Sequence, residues 1–173
     1  DTKVAIVTAA GRGMGAAIAR ELAADGYRLA LMSPSGAAET LAKSLDGVGV
    51  TGSVTEPDDL KRLVDATLAK YGRIDAVVNH TGHPPKGPLL DISDADWQRG
   101  MDTYLLNVIR PTRLVVPAMQ AQGGGAIVNI SSAWTFEPAE LFPTSAVFRA
   151  GLAAFTKIFA DTHAAQGIRM NNV

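Results

Sequence analysis

The sequence predicts an α/β protein: a doubly wound parallel sheet with helices packed on both faces, three layers in a single domain over residues 1–173. Three observations carry this. Short runs of strand length are apolar throughout, as strands buried on both faces are, and they alternate with helical patterns. The first run leads directly into a glycine-rich turn and then a helix. No internal repeat, low-complexity segment or linker divides the chain, and its length suits one core.

KVAIV (3–7) is the first expected strand, followed by the turn TAAGRGMG and the helix AAIARELAAD, in which Ile18 and Leu22 share a face. RLALM (28–32) reads as the second strand and GAAETLAKSL as the second helix, and GVTG (49–52) is a weak third strand. A helix follows from Thr55: Thr55 and Asp58 have capping-box spacing, Pro57 lies in the first turn, and Gly72 stops it. IDAVVN (74–79) is the fourth strand. Ser93 then opens a long helix reaching Gln120, with a kink expected at Pro111, whose ring clashes with the carbonyl of Asn107. AIVNI (126–130) is the fifth strand, a helix runs from about Thr144 to Ala165, and GIRMNNV begins a sixth strand.

Composition narrows the function classes. Hydrophobic residues make up 47% and charged residues 19%, which fits a soluble globular protein and not a disordered one. A net charge of −1, with Lys and Arg scattered singly, leaves no footprint for nucleic acid or a membrane surface. With no cysteine there is no disulfide, thiolate metal site or cysteine nucleophile. No apolar run reaches the ~18 residues of a membrane span and no signal peptide opens the chain, so a cytoplasmic protein is expected. A Gly-x-Ser-x-Gly elbow is lacking, which disfavours a serine hydrolase. His80, His83 and His163 form no recognisable ligand set with carboxylates, so no metal is expected.

The turn from Thr8 to Gly15 carries the first functional signal. Gly11, Gly13 and Gly15 let the backbone turn tightly and approach a ligand, with Arg12 and Met14 between them. The N–H groups at the start of the next helix favour a phosphate, so nucleotide binding is expected; the alternative is a purely structural turn. A carboxylate at the end of the second strand would bind a ribose 2′-hydroxyl and repel a 2′-phosphate, but this chain has Ser33-Pro34-Ser35 there. With Arg12 placed to pair a phosphate, NADP(H) is favoured over NAD(H); the alternative for Arg12 is a solvated surface charge.

Together these motifs resemble the short-chain dehydrogenase/reductase family, whose fold is Rossmann-like. TAAGRGMG is similar to the family's Thr-Gly-x-x-x-Gly-x-Gly turn, with Ala9 for the first glycine. Asn79-His80-Thr81-Gly82 stands where the family has Asn-Asn-Ala-Gly, so Asn79 and Gly82 are expected beside the cofactor. AIVNISS, the segment from Pro143 to Lys157 and GIRMNNV follow in the family's order. The family usually continues into a mobile substrate loop and a seventh strand, which are missing here.

The resemblance also implies an active site. In the family a tyrosine gives a proton to the substrate carbonyl as hydride arrives from the nicotinamide. A lysine lowers that tyrosine's pKa and binds the nicotinamide ribose, a serine holds the carbonyl oxygen, and an asparagine supports a water relay. Here Ser132 matches the serine, while Tyr104 stands for the asparagine, Ser145 for the tyrosine and Arg149 for the lysine. The chain is similar in this to a minority group of the family having Ser-x-x-x-Arg. An aliphatic hydroxyl is a far weaker acid than a phenol, and arginine stays protonated, so Ser145 and Arg149 bind and polarise without readily giving a proton. Three candidates fill the gap: Tyr104 with its pKa lowered by Arg149, His83, or a water held by Ser132 and Ser145. The alternative for Tyr104 is plain core, and for His80 and His83 loop residues. Trp134 either lines the nicotinamide pocket or packs beneath the substrate loop.

The leading expectation is an NADP(H)-dependent oxidoreductase for a small-molecule carbonyl or secondary alcohol, with a non-standard centre. The alternative is a non-catalytic nucleotide-binding sensor or scaffold. Family relatives are usually homotetramers or homodimers, so Leu152, Phe155 and Phe159 are either interface or ordinary core.

Overall fold

The computed structural model describes residues 2–83 and 85–173. Six parallel strands form one sheet in the order β3-β2-β1-β4-β5-β6: β1 Val4–Val7, β2 Arg28–Ser33, β3 Val48–Thr51, β4 Ala76–Asn79, β5 Gly125–Asn129 and β6 Ile168–Asn172. Each crossover carries a helix: α1 Gly13–Ala24, α2 Ala37–Ser44, α3 Pro57–Tyr71, α4 Asp94–Met101, α5 Asn107–Ala121 and α6 Pro143–His163. The strand order reverses between β1 and β4, where both crossovers leave a crevice at the carboxyl ends of the strands.

The alternation of side chains explains why both faces are apolar. Ile6, Ala30, Met32 and Val77 point to one face, where they meet Leu60 and Leu63 of α3, Val115 and Met119 of α5, and Leu152 and Phe159 of α6. Ala5, Val7, Leu29 and Leu31 point to the other, against Ala16 and Ala19 of α1 and Leu41 of α2. Leu152 and Phe159 are therefore core, with Phe155 packed against it. The exposed apolar side chains of α6 are Val147 and Ile158 instead. Among the described residues no helix is long and apolar enough to cross a membrane.

Two expected details come out differently. Gly72 does end α3 in the left-handed conformation, at φ 71°, but the helix starts at Pro57 without a side-chain cap. The Thr55 hydroxyl pairs with Ser53 Oγ at 2.8 Å, and Asp59 takes the Ser53 N–H at 2.8 Å, so the capping box does not form. The long helix is interrupted one turn before Pro111: a π-helical turn, Asp102–Leu106, separates α4 from α5, and Pro111 lies inside α5. Ser93 caps α4 as expected, its Oγ accepting the Asp96 N–H at 3.1 Å.

At the carboxyl end of the sheet, Asn79, Asn129 and Asn172 sit side by side in register on β4, β5 and β6. Asn79 Nδ2 donates to Asn129 Oδ1 at 2.9 Å, and Asn129 Nδ2 donates to Asn172 Oδ1 at 3.0 Å. Thr156 of α6 closes the row, donating to Asn172 Oδ1 at 2.9 Å.

Candidate active site

Among the clefts at the carboxyl ends of the strands, two flank the β1 turn. One, of about 550 Å³, lies between the β1 turn and the segments after β2 and β3; the other, of about 430 Å³, lies between that turn, the segment after β4, and α6. Both are walled by Ala9, Arg12, Thr81, Gly82 and His83, so they form one groove across the point where strand order reverses.

The glycine turn is built by close approach. A Cβ on Gly15 would lie 2.3 Å from the Ala9 carbonyl oxygen, and one on Gly11 would lie 2.7 Å from Ser33 Oγ. Gly13 opens α1 at φ +55°, and Ala9, where the resembled pattern has glycine, is also left-handed at φ 50°. The exposed first turn of α1 and the Arg12 side chain border the groove. No carboxylate lines the groove among the described residues. This donor set, with glycines that admit close backbone contact, fits a pyrophosphate and the two nucleosides it joins.

The expected cofactor residues divide. Gly11, Arg12, Gly13, Met14, Gly82 and Arg149 line the groove, while Thr8, Gly15 and Asn79 do not and act beneath it. Thr8 is fully buried; its Oγ1 donates to the His80 carbonyl at 2.8 Å and accepts the His80 N–H at 2.9 Å, pinning the segment after β4 to β1. Asn79 belongs to the asparagine row. Ser33 borders the first cleft, but its hydroxyl donates to the Ser35 carbonyl at 2.6 Å and accepts the Ala38 N–H at 3.1 Å. That hydroxyl therefore secures the start of α2. The sequence reading missed Ser53 and Thr55, which line the same cleft after β3; the rule that ligands lie at the carboxyl ends of strands would have found them.

The four expected catalytic residues do meet in the second cleft. One turn of α6 separates Ser145 from Arg149, and Arg149 Nε donates to Ser145 Oγ at 3.1 Å. A second guanidinium nitrogen donates to the Ile130 carbonyl at the end of β5. The guanidinium carbon lies 4.6 Å from the centroid of the Tyr104 ring. Tyr104 sits in the π turn, and its hydroxyl donates to the Gly82 carbonyl at 3.2 Å. Ser132 Oγ accepts the Trp134 N–H at 3.3 Å, which leaves its own proton free for a ligand. Trp134 stacks on Phe142 at 4.3 Å as one wall of the cleft.

The electrostatics correct one expectation. Burial pushes the Tyr104 phenol up to about 12, outweighing the Arg149 charge and the Ser145 hydroxyl, which both pull it down. The phenol is thus a weaker acid than free tyrosine, the reverse of the lowered pKa expected of it. His80, read as a loop residue, is a wall of the second cleft. Burial lowers its pKa, the Ala9 carbonyl opposes this, and the Arg149 charge lowers it further, so its ring is neutral at pH 7. His83 stands at the edge shared by both clefts.

Comparison with known proteins places these features in a family. Residues 3–173 match the short chain dehydrogenase family. Rabbit (Oryctolagus cuniculus) dehydrogenase/reductase SDR family member 4 is 35% identical over 98% of this chain and 68% of its own length. The cis-4-hydroxycyclohexanecarboxylate dehydrogenase of Sinomonas cyclohexanicum is 34% identical over 99% of this chain and 71% of its own. Among solved structures, L-sorbose reductase from Gluconobacter frateurii, complexed with NADPH and L-sorbose, superimposes with a TM-score of 0.92 at 28% identity, covering 99% of this chain and 68% of that one.

Proposed function

The chain belongs to the short-chain dehydrogenase family, and from that premise we propose that it is a cytoplasmic, NADP(H)-dependent oxidoreductase interconverting a small-molecule carbonyl and a secondary alcohol at a centre without the family's tyrosine acid. The observation that carries this reading is the single groove that has the glycine turn and Arg12 at one end and Ser132, Ser145 and Arg149 at the other. A bound nicotinamide supplies the hydride. The N-terminal N–H groups of α1 hold the pyrophosphate, while Arg12 pairs the 2′-phosphate, which the Ser33-Pro34-Ser35 corner admits and a carboxylate would repel.

On the substrate side, the Ser132 proton donates to the carbonyl oxygen. The Arg149 guanidinium gives this end of the groove a fixed positive charge and borders the nicotinamide ribose. Ser145 accepts the Arg149 Nε–H and so orients the guanidinium. Tyr104, with its proton on the Gly82 carbonyl, is a positioning residue, and the proton that completes the alcohol comes from water. Assembly as a homodimer or homotetramer is part of the proposal, with Val147 and Ile158 as the exposed apolar residues of α6 available to a second copy.

A nucleotide-binding protein without catalysis is the second reading, favoured by one observation: the phenol of the cleft is pushed up to about 12, away from any working range for proton donation. Titration with NADPH and NADH, following nicotinamide fluorescence, tests both. NADPH-selective binding with turnover of carbonyl compounds is expected. Binding with no turnover across a broad carbonyl panel would leave the second reading, and no binding of either nucleotide would remove both.

A further inference from the structure

Arg149 is only 9% exposed, yet among the described residues it has no carboxylate partner. Its two hydrogen bonds go to neutral oxygens, Ser145 Oγ and the Ile130 carbonyl, and its third neighbour is the face of Tyr104. A guanidinium has five N–H groups, so three of them have no protein acceptor here. The nitrogen that makes no hydrogen bond, Nη2, is not a fully buried atom, so its two donors open onto the cleft that Arg149 lines. A buried charge of this kind is costly unless an opposite charge meets it.

The surroundings add no such charge. The second cleft contains no acidic side chain, His80 is neutral, and Glu137 and Glu140 are exposed and do not line it. At the mouth, Lys86 Nζ lies 4.6 Å from the centroid of the Phe142 ring, adding a second cation beside the same wall. Ribose hydroxyls are neutral and leave the guanidinium charge uncompensated, and an oxidised nicotinamide would bring a further positive charge.

We propose that Arg149 anchors an anionic group of the substrate, and that the cleft takes small oxo or hydroxy compounds carrying a carboxylate. The planar fork of unused N–H groups matches a carboxylate in geometry as well as in charge. The substrate's carbonyl is then presented to Ser132 by a group several bonds away from it. The inference rests on the oxidoreductase reading only for calling the ligand a substrate.

The test compares 4-oxocyclohexanecarboxylate with its methyl ester, by calorimetry on the protein with and without saturating NADP⁺, so that neither oxo compound can be reduced. Turnover of each with NADPH is measured in parallel. The acid should bind at least ~10-fold more tightly than the ester, a difference of about 1.4 kcal/mol. The preference should shrink several-fold between low and high salt. Arg149→Met should make acid and ester equal, while Arg149→Lys should retain a reduced preference. Equal affinity in the wild-type protein overturns the proposal, and so does an undiminished preference in a folded Arg149→Met variant that still binds the ester. Acid-selective binding without turnover of either compound would keep the anchor and leave the oxidoreductase reading to the broad carbonyl panel. Equal turnover of both would keep that reading and remove the anchor.

Discussion

The Arg149 guanidinium meets the face of the Tyr104 ring, at 4.6 Å from its centroid, while the phenol oxygen turns to the Gly82 carbonyl. A cation over the ring face interacts with the π system and acts less directly on the oxygen that would carry a phenolate charge. Tyr104 is 2% exposed, so desolvation outweighs the cation and pushes the phenol up to about 12.

Tyr104→Phe separates positioning from acid catalysis. It removes the hydrogen bond to Gly82 and keeps the ring under Arg149. NADPH affinity should hold, and turnover should fall by about 3- to 10-fold, the scale of one neutral hydrogen bond. A loss of ~10³ or more, with cofactor affinity intact, would show that the phenol gives the proton after all.

The same phenol predicts an alkaline weakness. Its folded pKa, about 12, lies above the ordinary phenol value of 10.0, so the unfolded chain ionises first. The stability this contributes is whole below pH 10 and is lost as pH rises from there through the folded value. The loss reaches about 2–3 kcal/mol at most. Urea unfolding at pH 9 and pH 11 should show the wild-type protein losing more than Tyr104→Phe, and equal losses would contradict the shift.

Arg12 and Ser33 should part company under substitution. Arg12→Ala should weaken NADPH by ~10- to 100-fold, the scale of a hydrogen bond to a charged group, and leave NADH nearly unchanged. Ser33→Ala frees the Ala38 N–H and should cost about 1 kcal/mol of stability without altering the NADPH to NADH ratio. A selectivity change in Ser33→Ala would mean that the hydroxyl leaves Ser35 and Ala38 when cofactor binds. Parallel nucleotide titrations and thermal melts read both variants.

How far the sequence could go is visible in such pairs. Apolar runs such as Val4–Val7 announce strands because both faces are buried, and Gly72 announces a helix end because few other residues adopt its left-handed φ. The motifs also located the four side chains around the second cleft, since spacing along α6 fixes which of its residues share a face. Hydrogen-bond commitments were not legible. Ser33 and Thr8 sit in the right neighbourhood, yet their hydroxyls are taken by backbone groups brought together only by the folded chain. Nor did anything in Asp102–Leu106 mark a π turn, whereas Pro111 drew attention to the wrong place. The phenol's raised pKa was hidden for the same reason: the Arg149 charge is readable from the motif, but desolvation is a property of the assembled core.

Ala9 offers a gain in stability. A left-handed φ of 50° costs an alanine roughly 1–2 kcal/mol, against roughly 0.5–1 kcal/mol of extra chain entropy for glycine. Ala9→Gly should therefore stabilise by about 0.5–1 kcal/mol and raise Tm by about 2–4 °C at most. An unchanged or lower Tm would show that the Ala9 methyl contributes packing that offsets its strain.

The row formed by Asn79, Asn129 and Asn172 constrains how the chain assembles as well as what it holds. Side chains on a strand alternate between faces, so sliding β5 or β6 by one residue would swing its amide to the opposite side of the sheet. A slip of β5 would break both amide bonds at once, carrying Asn129 to the face of Val78 and leaving buried polar groups unpaired. The three amides work as a key cut to one alignment. Any other register forfeits these bonds whether or not a ligand is bound, and Thr156 ties the same alignment to the seating of α6.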